Sequence, residues 1–320
     1  MNSKKIKKVV LSPMAGYTDS AFRRMVKVFS SEIITISEMI SAEGISRKDK
    51  KSLLLGEFHD TERPFYIQIF ASEPDALKKA IPILEEKFNP DGIDLNLGCP
   101  AKKILKNSSG GFLLKNKNQA LKIIEAARKV ARVPISVKTR LGFSKDDEIL
   151  AFSRQIESAG ASSLTIHGRR VLDGFSGASR WENIYQVKEN LKIPVFGNGD
   201  ITKLEDVDKI KNLDGVFIGR AALGRPWFLA IFLHHLQGKI TNEISFDKIL
   251  GFVWKHALLA TERKDEEKAL MQMRGHLSFY FKNFPGASLV RQKIVRIKTL
   301  KELKSLLEIL GGNFTHLIEK

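Results

Sequence analysis

A chain of 320 residues with one cysteine cannot carry an internal disulfide framework, so packing has to hold it together, and a reducing cytoplasm is the expected compartment. Long apolar runs are missing too. The basic start, Met1-Asn2-Ser3-Lys4-Lys5-Ile6-Lys7-Lys8, leads only into Val9-Val10-Leu11 before Ser12-Pro13. That is too short for the core of a secretory signal, and no other stretch approaches a membrane span. A soluble protein without membrane contact is expected. Cysteine and histidine never cluster at ligand spacing, so no metal site is expected. Neither Gly-x-Gly-x-x-Gly after a strand nor Gly-x-x-x-x-Gly-Lys-Ser/Thr occurs, which weakens a doubly wound nucleotide-binding sheet. Acidic residues are scarce relative to basic ones: 36 Asp+Glu face 53 Lys+Arg, a formal net charge of +17 that recurs along the chain. Such an excess either covers a solvated surface or meets the phosphates of RNA or DNA through counterion release.

Short β-branched runs alternate with amphipathic stretches. The runs that predict strands are Val9–Leu11, Ile33–Ser37, Phe65–Phe70, Ile93–Leu97, Ile135–Lys138, Ser163–Ile166, Val195–Gly197 and Val216–Ile218. Helices are predicted between them, among them Ser20–Phe29, Pro74–Lys87, Asn118–Ala131, Lys145–Ala159 and Leu204–Asn212. Pro74 and Asp75 suit a first turn, and Asn118 suits a cap. About eight βα units over the first ~240 residues match a TIM barrel, with the doubly wound sheet as the alternative. Beyond Gly238 the strand signal stops. Helices are predicted at Ile249–Glu262, Asp265–Phe281, Ala287–Val295 and Thr299–Leu310, with breaks at Arg263-Lys264 and Asn283-Phe284-Pro285-Gly286. The expected organisation is a barrel over 1–240 and a small all-α bundle over 241–320.

The lone cysteine lies in Ile93-Asp94-Leu95-Asn96-Leu97-Gly98-Cys99-Pro100. Gly98 and Pro100 stop the strand, one by its dihedral freedom and the other by its missing N–H. Cys99 is then either a small buried hydrophobe or a side chain facing a ligand at a strand tip. Other predicted tips also carry polar or glycine-bearing groups: Ser12-Pro13-Met14-Ala15-Gly16, Gln68, Asn96, Lys138-Thr139-Arg140, His167-Gly168-Arg169-Arg170, Gly197-Asn198-Gly199-Asp200 and Gly219-Arg220. Polar groups in apolar runs are costly without partners, so the set predicts a ligand-lined barrel mouth. The last two tips suit a phosphate, helped by Arg220 and by a helix predicted to begin at Ala221. Lys138 is either a solvated stem or a fixed cation for a cofactor that gains negative charge on reduction. His167 is either a core histidine or part of that site.

Those residues resemble a known family. Ser12-Pro-Met-Ala-Gly-Tyr-Thr-Asp19, Asp94-Leu-Asn-Leu-Gly-Cys-Pro100, Val137-Lys-Thr-Arg-Leu-Gly142, Ile166-His-Gly-Arg169, Gly197-Asn-Gly-Asp-Ile201 and Ile218-Gly-Arg-Ala-Ala222 are similar to motifs of the flavin-dependent tRNA-dihydrouridine synthases. Met273-Arg274-Gly-His276 through Phe284-Pro-Gly-Ala287 resembles that family's C-terminal helical domain. The resemblance covers nearly the whole chain and implies an FMN-containing TIM barrel that reduces the C5=C6 bond of selected uridines in tRNA, with NADPH or NADH as reductant. It implies flavin-ring contacts from Pro13, Met14, Ala15 and Gln68, and Lys138 at the ring's pyrimidine edge. Asn198, Gly199, Asp200, Gly219 and Arg220 would hold the phosphate end, with His167 nearby. Cys99 would be the proton donor. Asn96, on the strand just before the Gly98-Cys99-Pro100 turn, is expected to orient the base by hydrogen bonding. Arg170 stands where the family usually has a small hydroxyl residue, and Arg225 where Asn is common. Both bear on how RNA is placed.

A thiol that donates a proton needs no base beside it, because an unperturbed cysteine is mostly protonated at neutral pH. For RNA, candidate contacts are Lys102, Lys103 and Lys106 after Cys99, Arg169 and Arg170 after the predicted strand Ser163–Ile166, and Arg291, Lys293, Arg296, Lys298, Lys301 and Lys304 in the helical part. A monomer acting on tRNA, not on DNA, is expected. Ribosomal RNA as the substrate, a dihydroorotate-dehydrogenase-like FMN enzyme and a non-catalytic RNA-binding protein are the rival readings.

Overall fold

Runs of Val, Ile and Leu become the strands of the computed structural model, which describes residues 7–145, 149–210, 212–282 and 287–311. The predicted break at Asn283-Phe284-Pro285-Gly286 and the start of the predicted helix after Lys145 lie outside the described residues. The strands are β1 (Lys8–Leu11), β2 (Thr35–Ile36), β3 (Ile40–Ser41), β4 (Phe65–Phe70), β5 (Gly92–Leu97), β6 (Ile135–Arg140), β7 (Ser163–His167), β8 (Val195–Asn198) and β9 (Gly215–Ile218). Their order is β1-β9-β8-β7-β6-β5-β4-β2, and β3 pairs β4 off that path. Leu11 N–H donates to Ile34 O at 2.9 Å and Ile34 N–H to Val9 O at 3.1 Å, which joins the two ends of the row. Eight parallel strands with helices between them make a TIM barrel. The predicted second strand, Ile33–Ser37, is the one that differs: it shortens to Thr35–Ile36, and Ile40–Ser41 forms a separate piece.

Parallel strands need crossovers, and the crossover helices start where the side chains supply caps. Asp19 accepts from Phe22 N–H at the start of Ser20–Phe29, and Pro74 occupies the first turn of Pro74–Phe88. Helix Lys117–Val130 is capped by Asn116, which accepts from Gln119 N–H; the predicted cap, Asn118, falls inside the first turn. Helices Lys102–Lys106, Trp181–Asn190 and Phe228–Leu236 complete the barrel alongside Ile149–Ser158. Leu204–Ile210 is 3₁₀ rather than α.

Strand alternation divides the barrel into two chemistries. Ile67, Ile69, Ile93, Leu95, Val137, Leu164, Ile166 and Val216 join the core shared with the helices, all essentially fully buried. Each such side chain contributes about 1.5–3 kcal/mol over exposure, so the frame does not depend on the lumen. The other parity points inward. At the bottom, Val10, Ile36, Phe196 and Phe217 pack with Ile34 and Tyr66. The Tyr66 ring occupies the space left by Gly92, where a Cβ would fall 2.2 Å from its Cε1. Toward the C-terminal ends the inward residues turn polar: Gln68 stands opposite Asp94, Asp94 opposite Ser136, Asn96 opposite Lys138, and His167 between Arg140 and Asn198.

Helices Phe246–Thr261, Glu266–Tyr280, Ala287–Ile294 and Leu300–Gly311 build a second apolar cluster around Leu250, Val253, Leu270, Leu277, Leu303 and Leu307. Ala21 and Trp227 from the barrel side complete it. Polar clamps fix the join: Arg24 pairs with Glu262, Lys264 lies 3.1 Å from Asp19, and His276 Nε2 lies 2.9 Å from Tyr17 O. The helical part therefore grips the loop that follows β1. Among the described residues no helix is long and apolar enough to cross a membrane.

Candidate active site at the barrel mouth

β5 ends in the Gly98-Cys99-Pro100 turn, and Asn96 shapes that turn from below. Its Oδ1 accepts the N–H groups of Gly98 at 3.1 Å and Cys99 at 3.0 Å. Its Nδ2 donates to Gln68 Oε1 at 2.9 Å, and Gln68 Nε2 donates to Asp94 Oδ2 at 2.7 Å. The carbonyl of Cys99 accepts from Gly111 N–H at 3.0 Å. The side chain is thus held, half-buried, at a strand tip. Burial pushes the thiol up, against the opposing pull of the Ala101 N–H and of the Lys138 and Arg140 cations. The sulfur carries its proton at neutral pH.

Lys138 rises inside the barrel from β6, and its Nζ donates to Asn198 Oδ1 at 2.9 Å. Asn198 Nδ2 in turn donates to Phe217 O at 2.8 Å, which fixes the amide. Burial, then repulsion from Arg140, lowers Lys138 to about 8, while Asp94 and Cys99 oppose the shift. Asp94 is raised to about 6 by burial, against hydrogen bonds from Gln68 and Ser136 and the Lys138 charge. At neutral pH Lys138 is mainly cationic and Asp94 mainly anionic.

The tips of β7, β8 and β9 form a second, cationic end of the mouth. Gly199 has φ of +116°, and a Cβ there would fall 2.1 Å from Ser179 Oγ, so only glycine fits. Asp200 follows in the left-handed region at φ of +52°. Its carboxylate is engaged internally: Arg169 Nη2 lies 2.8 Å from both oxygens, Ser179 N–H donates at 2.8 Å, and Arg220 stands 3.7 Å away. The helix predicted to begin at Ala221 is a three-residue 3₁₀ turn, Arg220–Ala222, so no long helix N-terminus points here. His167 is held well below the usual imidazole range by burial and by Lys138, Arg140, Arg169 and Arg220. Its Nδ1 is buried and has no hydrogen-bond partner among the described residues. Lys138 and Arg140 bond to neutral oxygens. A ligand with an anionic end and an acceptor or donor for His167 fits this place.

Around the rim, Pro13 and Met14 are half-buried and Ala15 is exposed. Met14 N–H donates to Thr18 Oγ1 at 3.0 Å and Gly16 N–H to Glu38 Oε1 at 2.5 Å, which sets the loop. A Cβ at Gly219 would lie 3.5 Å from Met14 Sδ, so the β1 and β9 tips are neighbours. Phe175, 61% exposed, sits under the Arg220 and Arg140 guanidinium groups at 5.1 and 5.7 Å.

The predicted RNA contacts divide. Lys102 and Lys103 are exposed on the short helix after Cys99. Arg169 is only 3% exposed and is tied to Asp200, Ser179 Oγ and the carbonyls of Ser176 and Gly177, so it braces the loops instead of facing solvent. Arg170 is folded onto Asp173 at 2.9 Å and onto Ser144 O at 3.0 Å. Arg291 is half-buried and donates to Phe281 O at 3.2 Å. Arg296 is exposed, as is Lys298, which pairs with Glu267 at 2.9 Å. Asp94, Ser136, Glu38 and Ser179 received no role from the sequence; the available signal was an acid in the apolar run of β5.

Compared with known proteins, the chain matches the family described as Dihydrouridine synthase (Dus) over residues 10–315. It is 33% identical over 314 residues to a probable tRNA-dihydrouridine synthase of Aquifex aeolicus, covering 96% of this chain and 97% of that one. A Synechocystis protein named probable tRNA-dihydrouridine synthase 1 is 33% identical over 309 residues, covering 94% and 85%. A Mycobacterium tuberculosis protein with the name probable tRNA-dihydrouridine synthase is 30% identical over 319 residues, covering 95% and 82%. Among solved structures, a 2-naphthoyl-CoA reductase complex superposes with a TM-score of 0.53 at 11% identity, covering 72% of this chain and 50% of that one. That likeness concerns the fold.

Proposed function

Because the chain belongs to the dihydrouridine synthase (Dus) family, we propose that it reduces the C5=C6 bond of particular uridines in tRNA to 5,6-dihydrouridine, using bound FMN and NADPH or NADH. The observation that carries this reading is a neutral thiol, Cys99, fixed at the same open barrel end as Lys138 and the unpartnered His167 Nδ1. Pro13, Met14, Ala15 and Gln68 would flank the flavin ring, with Lys138 at its pyrimidine edge. His167, the Asn198-Gly199-Asp200 turn, Gly219 and Arg220 would receive the phosphate end. When bound and reduced by NADPH or NADH, FMN would supply the hydride that uracil C6 takes.

This chain's own residues supply the proton and the placement. Cys99 gives its proton to C5, and the thiolate left behind sits in the field of Lys138 and Arg140, both of which act on it electrostatically. The target base has to leave its stack to enter the mouth, where Asn96 is within reach of the lumen and Lys102 and Lys103 lie beside the entrance. His167, held neutral, contributes a hydrogen bond and leaves charge neutralisation to the arginines and Lys138.

The test is Cys99→Ala beside Cys99→Ser. Bound yellow flavin and NADPH oxidation by an artificial acceptor stay, while dihydrouridine formation on transcribed tRNA falls about 10²–10⁴-fold, the range of a lost general acid. Full RNA activity in the alanine variant would refute the assignment. A colourless protein that cannot be reconstituted with FMN would favour the non-catalytic RNA-binding reading.

A further inference from the structure

One line of hydrogen bonds runs through the barrel just below the mouth. Ser136 Oγ donates to Asp94 Oδ1 at 2.6 Å, and Gln68 Nε2 donates to Asp94 Oδ2 at 2.7 Å. Asn96 Nδ2 donates to Gln68 Oε1, and Asn96 Oδ1 accepts the N–H groups of Gly98 and Cys99. Two members of the line are primary amides, whose donor and acceptor ends exchange by a half-turn with almost no change in shape. A backbone N–H pair at one end can only donate. A carboxylate at the other can only accept.

We infer that Asp94 is a positioning residue that sets the direction of this line and so holds the Cys99 turn in its working place. An ionised Asp94 forces Gln68 to present Nε2 downward and Oε1 toward Asn96. Asn96 must then present Nδ2 to Gln68, which leaves its Oδ1 for Gly98 and Cys99. With the reverse polarity, an NH₂ group would face two half-buried N–H donors, and the turn would have to open. Asp94 is fully buried between Ile93 and Leu95, a costly place for a carboxylate unless acceptor-only chemistry is required there. Its importance for turnover rests on the reading of Cys99 as proton donor; its hold on the turn does not.

A sequence with one cysteine makes the test clean, since any thiol signal comes from this turn. In Asp94→Leu the branched shape is kept but the acceptor is gone, so Gln68 Nε2 has no partner below it and nothing at that end fixes the polarity of the line. The expected result on the flavin-loaded protein is alkylation of Cys99 by iodoacetamide roughly fivefold faster at fixed pH, the effect of losing one net hydrogen bond. Turnover on tRNA falls with KM for tRNA unchanged. Asn96→Ala, which removes the turn's acceptor directly, must speed alkylation to the same degree. The conservative variant is Asp94→Asn: its Oδ1 still accepts from Gln68 Nε2 while its Nδ2 donates to the Ser136 hydroxyl, so the line keeps its direction and the alkylation rate stays that of the parent protein. If Asp94→Leu does not accumulate as folded protein, Asp94→Ala takes its place with the same expected rate. An unchanged rate in the variant without an acceptor, or a fast rate in Asp94→Asn, overturns the inference. A fully active Cys99→Ala protein alongside fast alkylation in Asp94→Leu would remove the proton-donor reading and leave the line standing.

Discussion

Arg169 offers the sharpest separation between a residue that binds RNA and one that holds the site together. In Arg169→Ala the guanidinium loses Asp200, Ser179 Oγ and the carbonyls of Ser176 and Gly177. Breaking a fully buried ion pair by removing one partner costs about 3–5 kcal/mol, whereas an exposed pair is worth at most about 1 kcal/mol. Here Arg169 is 3% exposed and Asp200 31% exposed, so the stranded carboxylate can partly rehydrate. It also keeps the Ser179 N–H and Arg220. A loss of about 2–3 kcal/mol follows, which for a chain of this size lowers the thermal midpoint by about 3–5 °C. Because the Gly199-Asp200 turn belongs to the proposed phosphate end, the variant also releases flavin more readily. Three measurements check this: far-UV circular dichroism melts, flavin fluorescence released on dilution, and tRNA binding across a salt series. The salt slope stays that of the parent, since a buried guanidinium neutralises no RNA phosphate. A midpoint within about 1 °C of the parent, together with a slope smaller by about one unit, would refute the reasoning and restore Arg169 as a phosphate contact.

Arg23→Ala strands Glu62, with which Arg23 forms a pair whose side chains are 2% and 0% exposed, and a loss of about 3–5 kcal/mol is expected in urea unfolding. A loss below about 1 kcal/mol would mean that the pair is inert. Lys138 gives a pH signature in two directions. The folded protein releases its proton near 8, while the unfolded chain keeps it until 10.5, so between those values the unfolded state binds more protons and stability from this group rises with pH. RNA reduction falls over the same window as the cation disappears. Subtracting Lys138→Met melts from those of the parent across that range isolates the effect, and a flat difference counts against it. Removing charge at Arg296 and Lys298 together should weaken all tRNAs alike and lower the salt slope by up to about 2, whereas Arg291→Ala, bonded to Phe281 O, should cost stability as well. Unchanged affinity after all three substitutions would dismiss that face of the helical part.

Most of the barrel was readable because each strand is a short aliphatic run ended by a polar or glycine-bearing tip, and those tips had to gather at one end. Ile33–Ser37 misled because its pairing, not its composition, splits it: Thr35 and Ile36 pair with Phe65 and Tyr66, Ser37 ends that ladder with its N–H on Tyr66 O and its hydroxyl accepting from Gln68 N–H, and the pairing with β4 resumes at Ile40 and Ser41. The expected helix at Ala221 failed for a local reason. Gly224 has φ of +68°, and Pro226 follows two residues later, so the turn cannot run on into the α-helix that starts at Phe228. The cap moved from Asn118 to Asn116 because side-chain capping depends on which asparagine stays outside the helical dihedrals. Asn116 does so, with φ of −129° and ψ of 77°.

Roles inside the lumen were harder to read than positions, and Asp94 and Asn96 show why. Both lie on the inward parity of β5, two residues apart, and neither composition nor periodicity tells them apart. Register does. Asp94 stands opposite Gln68 and Ser136, two groups that can donate to it, and is used up beneath the mouth. Asn96 stands one layer higher, opposite Lys138, where the lumen opens. Arg169 and Arg170 make the same point beyond the end of β7: Arg169 finds Asp200, while its neighbour folds onto Asp173. Parity can be counted along one strand, but the partner is set by the stagger between neighbouring strands, which the intervening helices and loops determine. A polar residue pointing into a barrel is therefore marked most clearly for a ligand where its neighbours leave one of its atoms unpaired; Gln68, Asn96 and Lys138 already have protein partners, and the buried Nδ1 of His167 is the strongest single mark of an expected ligand.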